Sequence, residues 1–405
     1  MSGTLLPSEL PRSGLSVYTT LDLNMQNHVQ QFMRDHLYGD DRDDYGGGLI
    51  REDHVSNSAA ILVDHHTGAI KVMLGSVDPA NDAIQGSFNV AVDGFRGPGS
   101  SFKPIVYATA FEKGWFPAAT VADVPTAFNV GEAQPYRPLD FNPTQFRGTV
   151  TLRQALQESL NIPAVRVMRY AGVDNVRRMA ERLGVTQWAP GARWGLSSAL
   201  GSLDVTLYQM VQAYTVFANY GQFIPLHVID HITDGVGNAI YQYSPPAVPK
   251  QVLDPRVAFL ITSALSDNPA RVGEFGGCSP LYLDPSKDDC NAHHFDSPNA
   301  WPAASKTGTG QDFTDDWTLG YTRDYTMGVW AGNNDHTPMH HIDGVTGSAP
   351  IWYNSMIYLE RGRPKQQFPV PQGMQRARYC SNGVCTTDWF RPGPLPRPNV
   401  GDVAR

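Results

Sequence analysis

Apolar and polar residues alternate over Leu15-Ser16-Val17-Tyr18-Thr19-Thr20, and the spacing then becomes helical from Leu21 to about His36. An acidic, Gly-rich connection follows, from Asp40 to Gly48. Two apolar runs, Ala59 to Asp64 and Ala69 to Leu74, flank the polar turn His65-His66-Thr67-Gly68 and predict a strand pair. From about residue 100 to 220 the periodicity is helical, broken by Pro/Gly-rich loops, and near 240 it changes to short strands. One more helix is predicted from Pro255 to about Leu265, then a long loop over 271–302. Three strands follow, Ala303 to Thr309, Trp317 to Tyr321 and Thr326 to Ala331. Strands at both ends with helices between them predict one sheet built from both termini and flanked by helices, an α/β (α+β) fold. Residues 1–50 read as an N-terminal linker region, 51–360 as the main domain and 361–405, rich in Pro and Arg, as an irregular tail.

Composition narrows the function. A chain of 405 residues has room for a large core, and a net charge of −8 argues against nucleic acid as a partner. No run approaches the length of a membrane span, and Met1-Ser2-Gly3-Thr4 lacks the blocks of a secretion signal, so export or anchoring information is expected outside this sequence. The cysteines form two local pairs, Cys278 with Cys290 and Cys380 with Cys385, neither spaced for zinc or redox chemistry. As disulfides they would place the protein outside the cytoplasm. His65-His66, His293-His294 and His340-His341 are adjacent pairs without the spacing of metal ligands, and read as solvated loop residues; no metal or cofactor is expected.

Candidate chemistry begins at Gly97-Pro98-Gly99-Ser100-Ser101-Phe102-Lys103-Pro104. Ser100 falls at or just inside the start of an apolar helix, and Lys103 lies one turn on, on the same face. The helix dipole there favours an oxyanion. A serine hydroxyl becomes a nucleophile when a base takes its proton, and a neutral lysine serves if its pKa falls. Lowering a lysine from ~10.4 to ~7 raises the neutral fraction at pH 7 roughly a thousandfold, for about 4.6 kcal/mol of desolvation or charge repulsion. A second lysine nearby would supply repulsion. Lys103 is the only one of the seven lysines with a serine three residues before it.

A Ser-x-Asn follows at Ser159-Leu160-Asn161, after a capping-box pattern of Thr151 and Gln154. Helical spacing with Leu152, Ala155 and Leu156 turns Ser159 inward and Glu158 away from it. Ser266-Asp267-Asn268 also ends a helix, and pattern alone does not choose between the two. The third piece, Ser305-Lys306-Thr307-Gly308-Thr309-Gly310, is strand-like. Gly308 lets an extended substrate approach the backbone, and Thr307 and Thr309 share a face suited to a carboxylate. The N–H groups of Ser100 and Thr309 would form a two-donor oxyanion hole. Alternation puts Lys306 opposite the threonines, so its entry must come over the strand's edge or through its twist.

Ser-x-x-Lys, Ser-x-Asn and Lys-Thr-Gly in that order form the signature of penicillin-recognising serine enzymes. Over almost its whole length the chain resembles the transpeptidase domain of class A (bifunctional) penicillin-binding proteins. The likeness includes Val17 to Asp22, Arg96 to Pro104, Ser159-Leu160-Asn161-Ile162-Pro163-Ala164-Val165, Lys306 to Phe313, Val329 to Asp335 and Gly344 to Trp352. It selects Ser159 over Ser266. It implies a five-stranded, largely antiparallel sheet between helices with an all-helical subdomain, and makes 51–360 the penicillin-binding transpeptidase domain. It further implies that Ser100 attacks the D-Ala-D-Ala bond of a peptidoglycan stem peptide, with Lys103 as base. Ser159 would relay a proton, Lys306 would tune it, Asn161 would bind the donor amide, and Thr307, Gly308 and Thr309 would hold the carboxylate end. β-Lactam antibiotics would acylate Ser100. The glycosyltransferase domain and membrane anchor of bifunctional relatives are not found in this sequence, so either an excised fragment or a single-function protein is expected; the expected setting is extracytoplasmic, on a membrane-anchored protein with cell-wall synthesis partners. The rivals are a DD-carboxypeptidase, a serine β-lactamase and a non-catalytic penicillin-sensing domain.

Overall fold

The computed structural model describes residues 14–39, 48–131, 134–142, 144–286, 290, 295, 297–340 and 342–393. Its centre is an antiparallel five-stranded sheet drawn from both halves of the chain. The strands are β2 (Asn57–Asp64), β3 (Ala69–Leu74), β8 (Ala304–Thr309), β9 (Asp315–Tyr321) and β10 (Tyr325–Gly332), in the order β8-β9-β10-β2-β3. Strand β2 is buried on both faces because its alternate residues enter different cores. Ala59, Ile61 and Val63 face one, Ala60 and Leu62 the other. The fold class expected from the pattern is the one found.

Helix α1 (Leu23–Tyr38) and helix α7 (Ser348–Glu360) cover one face, with Val29, Met33 and Leu37 packed with Ile351, Trp352 and Met356. The other face carries α2 (Lys103–Glu112), α3 (Leu152–Gln157), α4 (Asn161–Ala171), α5 (Leu207–Ala218) and α6 (Pro255–Leu265). Helix α2 is buried from Lys103 through Phe111, the condition of a helix running through a core rather than along its surface.

The region 1–50 is not merely a linker: β1 (Ser16–Thr19) joins β6 (Ile229–Thr233) and β7 (Ala239–Gln242) in a small sheet, and α1 supplies fully buried residues to the core. Nor is 361–405 irregular throughout. Strands β11 (Gln375–Ser381) and β12 (Val384–Phe390) form a hairpin whose turn residues Asn382 and Gly383 have φ of 49° and 82°. That is the geometry an Asn-Gly turn favours. Tyr379 and Phe390 pack on Phe116, and Asp388 pairs with Arg153 of α3. After α2 in chain order, β4 (Thr120–Asp123) pairs with β5 (Gly148–Thr151), which leads directly into α3.

Both cysteine pairs are joined as disulfides, Cys278–Cys290 and Cys380–Cys385. His65 is not a solvated loop residue. It is 1% exposed, with Nε2 against Arg323 O and Nδ1 against Thr326 Oγ1. His293, His294 and His341 lie outside the described residues.

Candidate active site

A 3₁₀ turn over Gly99–Phe102 leads into α2. Pro98 occupies the cap position, so Ser100 is the second residue of the turn and does not cap it. Ser101, not Ser100, spends its hydroxyl locally, donating to Pro98 O at 2.7 Å. The turn lies directly on β8: a Cβ on Gly99 would stand 2.2 Å from Thr309 O, and one on Gly308 2.1 Å from Pro98 O. The two glycines thus let the serine-bearing turn and the Lys-Thr-Gly strand touch backbone to backbone.

Ser159 comes to the same place by a route the sequence did not suggest. Helix α3 ends at Gln157, and Ser159 adopts a left-handed φ of 58° before α4 begins at Asn161. A non-glycine residue there costs roughly 1 kcal/mol or more, so the surrounding structure must hold it. Helical spacing therefore does not aim this hydroxyl. Thr151 caps α3 by accepting from Gln154 N at 3.1 Å, but Gln154 donates to Glu158 instead of closing a capping box. Ser266 and Asn268 stand apart from the cleft; Asp267 pairs with Arg153 at 3.2 Å.

The hydrogen bonds converge on Ser159. Lys103 Nζ donates to Ser159 O at 2.5 Å, to Asn161 Oδ1 at 2.7 Å and to Ser159 Oγ at 3.4 Å. Lys306 Nζ donates to Ser159 Oγ at 2.8 Å and to Thr307 O at 3.0 Å. Strand β8 is the edge of the sheet, and Lys306 bends back onto the carbonyl of its own neighbour, which brings its amine to the side of the threonines. Ser100, Ser159, Asn161, Thr307 and Thr309 all line one cleft of about 510 Å³.

Both amines are out of water. Burial pushes Lys103 down to about 7, against the opposing pull of Asp140 and Glu274. Burial, then the charges of Lys103 and Arg271, hold Lys306 well below the ordinary lysine range. Desolvation rather than a second lysine is thus the main cause at Lys103, and repulsion acts on Lys306.

Several residues at the site carry no local sequence signal. Glu158, expected to point away, lines the cleft and is held by Arg147 Nε at 2.7 Å and Gln154 Nε2 at 2.9 Å. Glu274, from the helical turn Val272–Phe275 inside the presumed loop, pairs with Arg147 at 3.1 Å. Arg271 is 1% exposed behind β8 and donates to Ser305 Oγ at 3.0 Å and Leu265 O at 2.6 Å. Gly344 faces Thr307, where a Cβ would come within 2.3 Å of the threonine Cβ.

Comparison with known proteins gives the family and the fold. Residues 58–349 match the family described as the penicillin binding protein transpeptidase domain. Penicillin-binding protein 1A of Neisseria meningitidis is 29% identical over 335 residues, covering 81% of this chain and 39% of that protein. Penicillin-binding protein 1B of Vibrio cholerae is 30% identical over 370 residues, covering 89% of this chain and 42% of that one. The chain therefore spans about two fifths of the length of these relatives. In fold it is similar to penicillin-binding protein 1A of Haemophilus influenzae, with a TM-score of 0.76 at 20% identity over 94% of this chain and 73% of that one. PonA1 of Mycobacterium tuberculosis in complex with penicillin V gives a TM-score of 0.70 at 20% identity, covering 90% of this chain and 91% of that one. With more than half of its length matched, this chain belongs to the penicillin-binding protein transpeptidase domain family.

Proposed function

We propose that the chain is a serine D,D-transpeptidase that cross-links peptidoglycan stem peptides through an acyl-enzyme at Ser100, and that β-lactams acylate the same hydroxyl. The observation that carries this reading is the Ser159 hydroxyl within hydrogen-bond reach of two buried lysine amines, in the cleft that Ser100 faces. Lys103 takes the Ser100 proton as Oγ bonds to the carbonyl carbon between the terminal D-alanines. The N–H groups of Ser100 and Thr309 receive the oxyanion, an arrangement worth ~3–4 kcal/mol per donor. As the C–N bond breaks, Ser159 relays a proton to the nitrogen of the departing D-alanine, and the low pKa of Lys306 eases that transfer. Asn161 holds the donor amide, and Thr307 and Thr309 its carboxylate. An acceptor amine then attacks the ester, an amide forms and Ser100 regains its proton.

Hydrolysis, the β-lactamase and carboxypeptidase outcome, asks for a base to activate water. Glu158 is the acidic side chain nearest in sequence to Ser159, and both its oxygens are already engaged, by Arg147 and Gln154. The two disulfides support an extracytoplasmic setting. No helix among the described residues is long and apolar enough to cross a membrane.

The pH profile tests the assignment of the base. Lys103 must be neutral to accept a proton, so acylation by a fluorescent penicillin should be slow well below pH 7 and rise as pH passes through about 7. A stopped-flow profile that is flat from pH 5 to 9, or that falls across this range, would remove Lys103 from the role.

A further inference from the structure

Helix α4, which carries Asn161, starts without a cap of its own, because Leu160 precedes it and a leucine side chain accepts no hydrogen bond. Its first amides are served from a distance. Asp140 Oδ1 accepts from Asn161 N at 2.5 Å and from Ile162 N at 3.3 Å. The Asn161 side chain then spans the cleft wall, with Nδ2 donating to Leu139 O at 2.8 Å and Oδ1 accepting from Lys103 Nζ at 2.7 Å. Asp140 thus lies one residue from the base it faces.

Asp140 also has a partner. Asp123 of β4 is fully buried, lies within hydrogen-bonding reach of Asp140 and accepts from Arg147 N at 2.6 Å through Oδ2. Asp123 Oδ1, Asp140 Oδ2 and the Tyr107 hydroxyl are buried with no hydrogen-bond partner among the described residues. A buried carboxyl is harder to ionise with a second one beside it. Burial, with Asp140 alongside, pushes the Asp123 carboxyl up to about 7.

We propose that Asp140, backed by the buried Asp123 carboxyl, positions the active site: it caps α4 so that Asn161 meets Lys103, and its negative charge faces the Lys103 amine. The catalytic part rests on the reading of Lys103 as base. The groups facing Lys103 are Asp140 from the loop before β5, Glu274 from the turn 272–275 and Lys306 from β8, with Asp123 behind Asp140 and Tyr107 one turn along α2. Asp140 and Glu274 favour the ammonium form and burial opposes it. Asp123 ionises more readily once Asp140 is gone but stands behind it, so it replaces that charge only in part, and removing the Asp140 charge lowers the pH at which Lys103 becomes a base.

The test uses the protein labelled with ε-¹³C-lysine, whose seven lysines give few signals, with Lys103 assigned by its loss in Lys103→Arg. In Asp140→Asn, which keeps an accepting oxygen, the Lys103 titration midpoint should move to lower pH by roughly half a unit or more. The rise in penicillin acylation should move with it. In Asp140→Ala the cap is lost as well, and acylation at pH 9 should fall about tenfold below that of Asp140→Asn. A Lys103 midpoint in Asp140→Asn that matches or exceeds the parent's overturns the electrostatic role, and equal plateau rates in the two variants overturn the capping role. If the parent takes up no penicillin, the transpeptidase reading fails, and the lysine titration still decides whether Asp140 sets the charge of Lys103.

Discussion

Lys103→Met should lower the rate of penicillin acylation roughly a thousandfold while leaving a folded protein, because loss of a positioned general base costs on the order of 10²–10⁴. Methionine matches the buried stem of the lysine and brings no charge into a site that is fully enclosed. It leaves Ser159 O and Asn161 Oδ1 without the amine they accept from, which disturbs the cleft wall but not the core of α2. Stopped-flow acylation alongside circular dichroism checks this. A variant that is folded and acylates within tenfold of the parent would mean that another group takes the Ser100 proton.

A single methyl group should be nearly as damaging at Gly308. In Gly308→Ala the new Cβ would meet Pro98 O at 2.1 Å and Ser101 N at 2.8 Å, both backbone atoms that cannot rotate away. Relief requires the serine-bearing turn to lift off β8, which separates the two N–H donors assigned to the oxyanion. A loss of about 2–3 kcal/mol in stability is expected from overpacking, and a loss of at least a hundredfold in acylation from the spoiled donor geometry. Thermal unfolding and acylation kinetics read the two effects separately. Unchanged acylation in Gly308→Ala would show that the contact between turn and strand does not matter to the reaction.

Much of this site was legible because its parts are local. One helical turn links Ser100 to Lys103, and strand alternation sets Thr307 and Thr309 on one face. What stayed hidden depends on contacts between distant segments. Asp140 caps a helix that starts 21 residues later, and only the absence of a capping side chain at Leu160 hints that one is needed. Arg271 and Glu274 sit in a stretch that reads as a loop because its helical turn is too short to show a period. Ser159 was singled out from the motif, but its direction comes from a left-handed residue after the helix rather than from helical spacing. The hairpin of 375–390 did leave a local trace, Asn382-Gly383, masked by the charged residues on its exposed face. The sequence calls for a depressed Lys103 pKa and leaves desolvation and charge repulsion both open as its cause; burial depth, a tertiary property, makes desolvation the larger.

The central claim is that Ser100 is the nucleophile. Intact mass spectrometry after incubation with a penicillin, in the parent and in Ser100→Ala, tests it most directly. The account predicts a single long-lived adduct of the mass of the intact antibiotic on the parent and none on Ser100→Ala. An adduct that persists in Ser100→Ala, or a parent that acquires none, would contradict it.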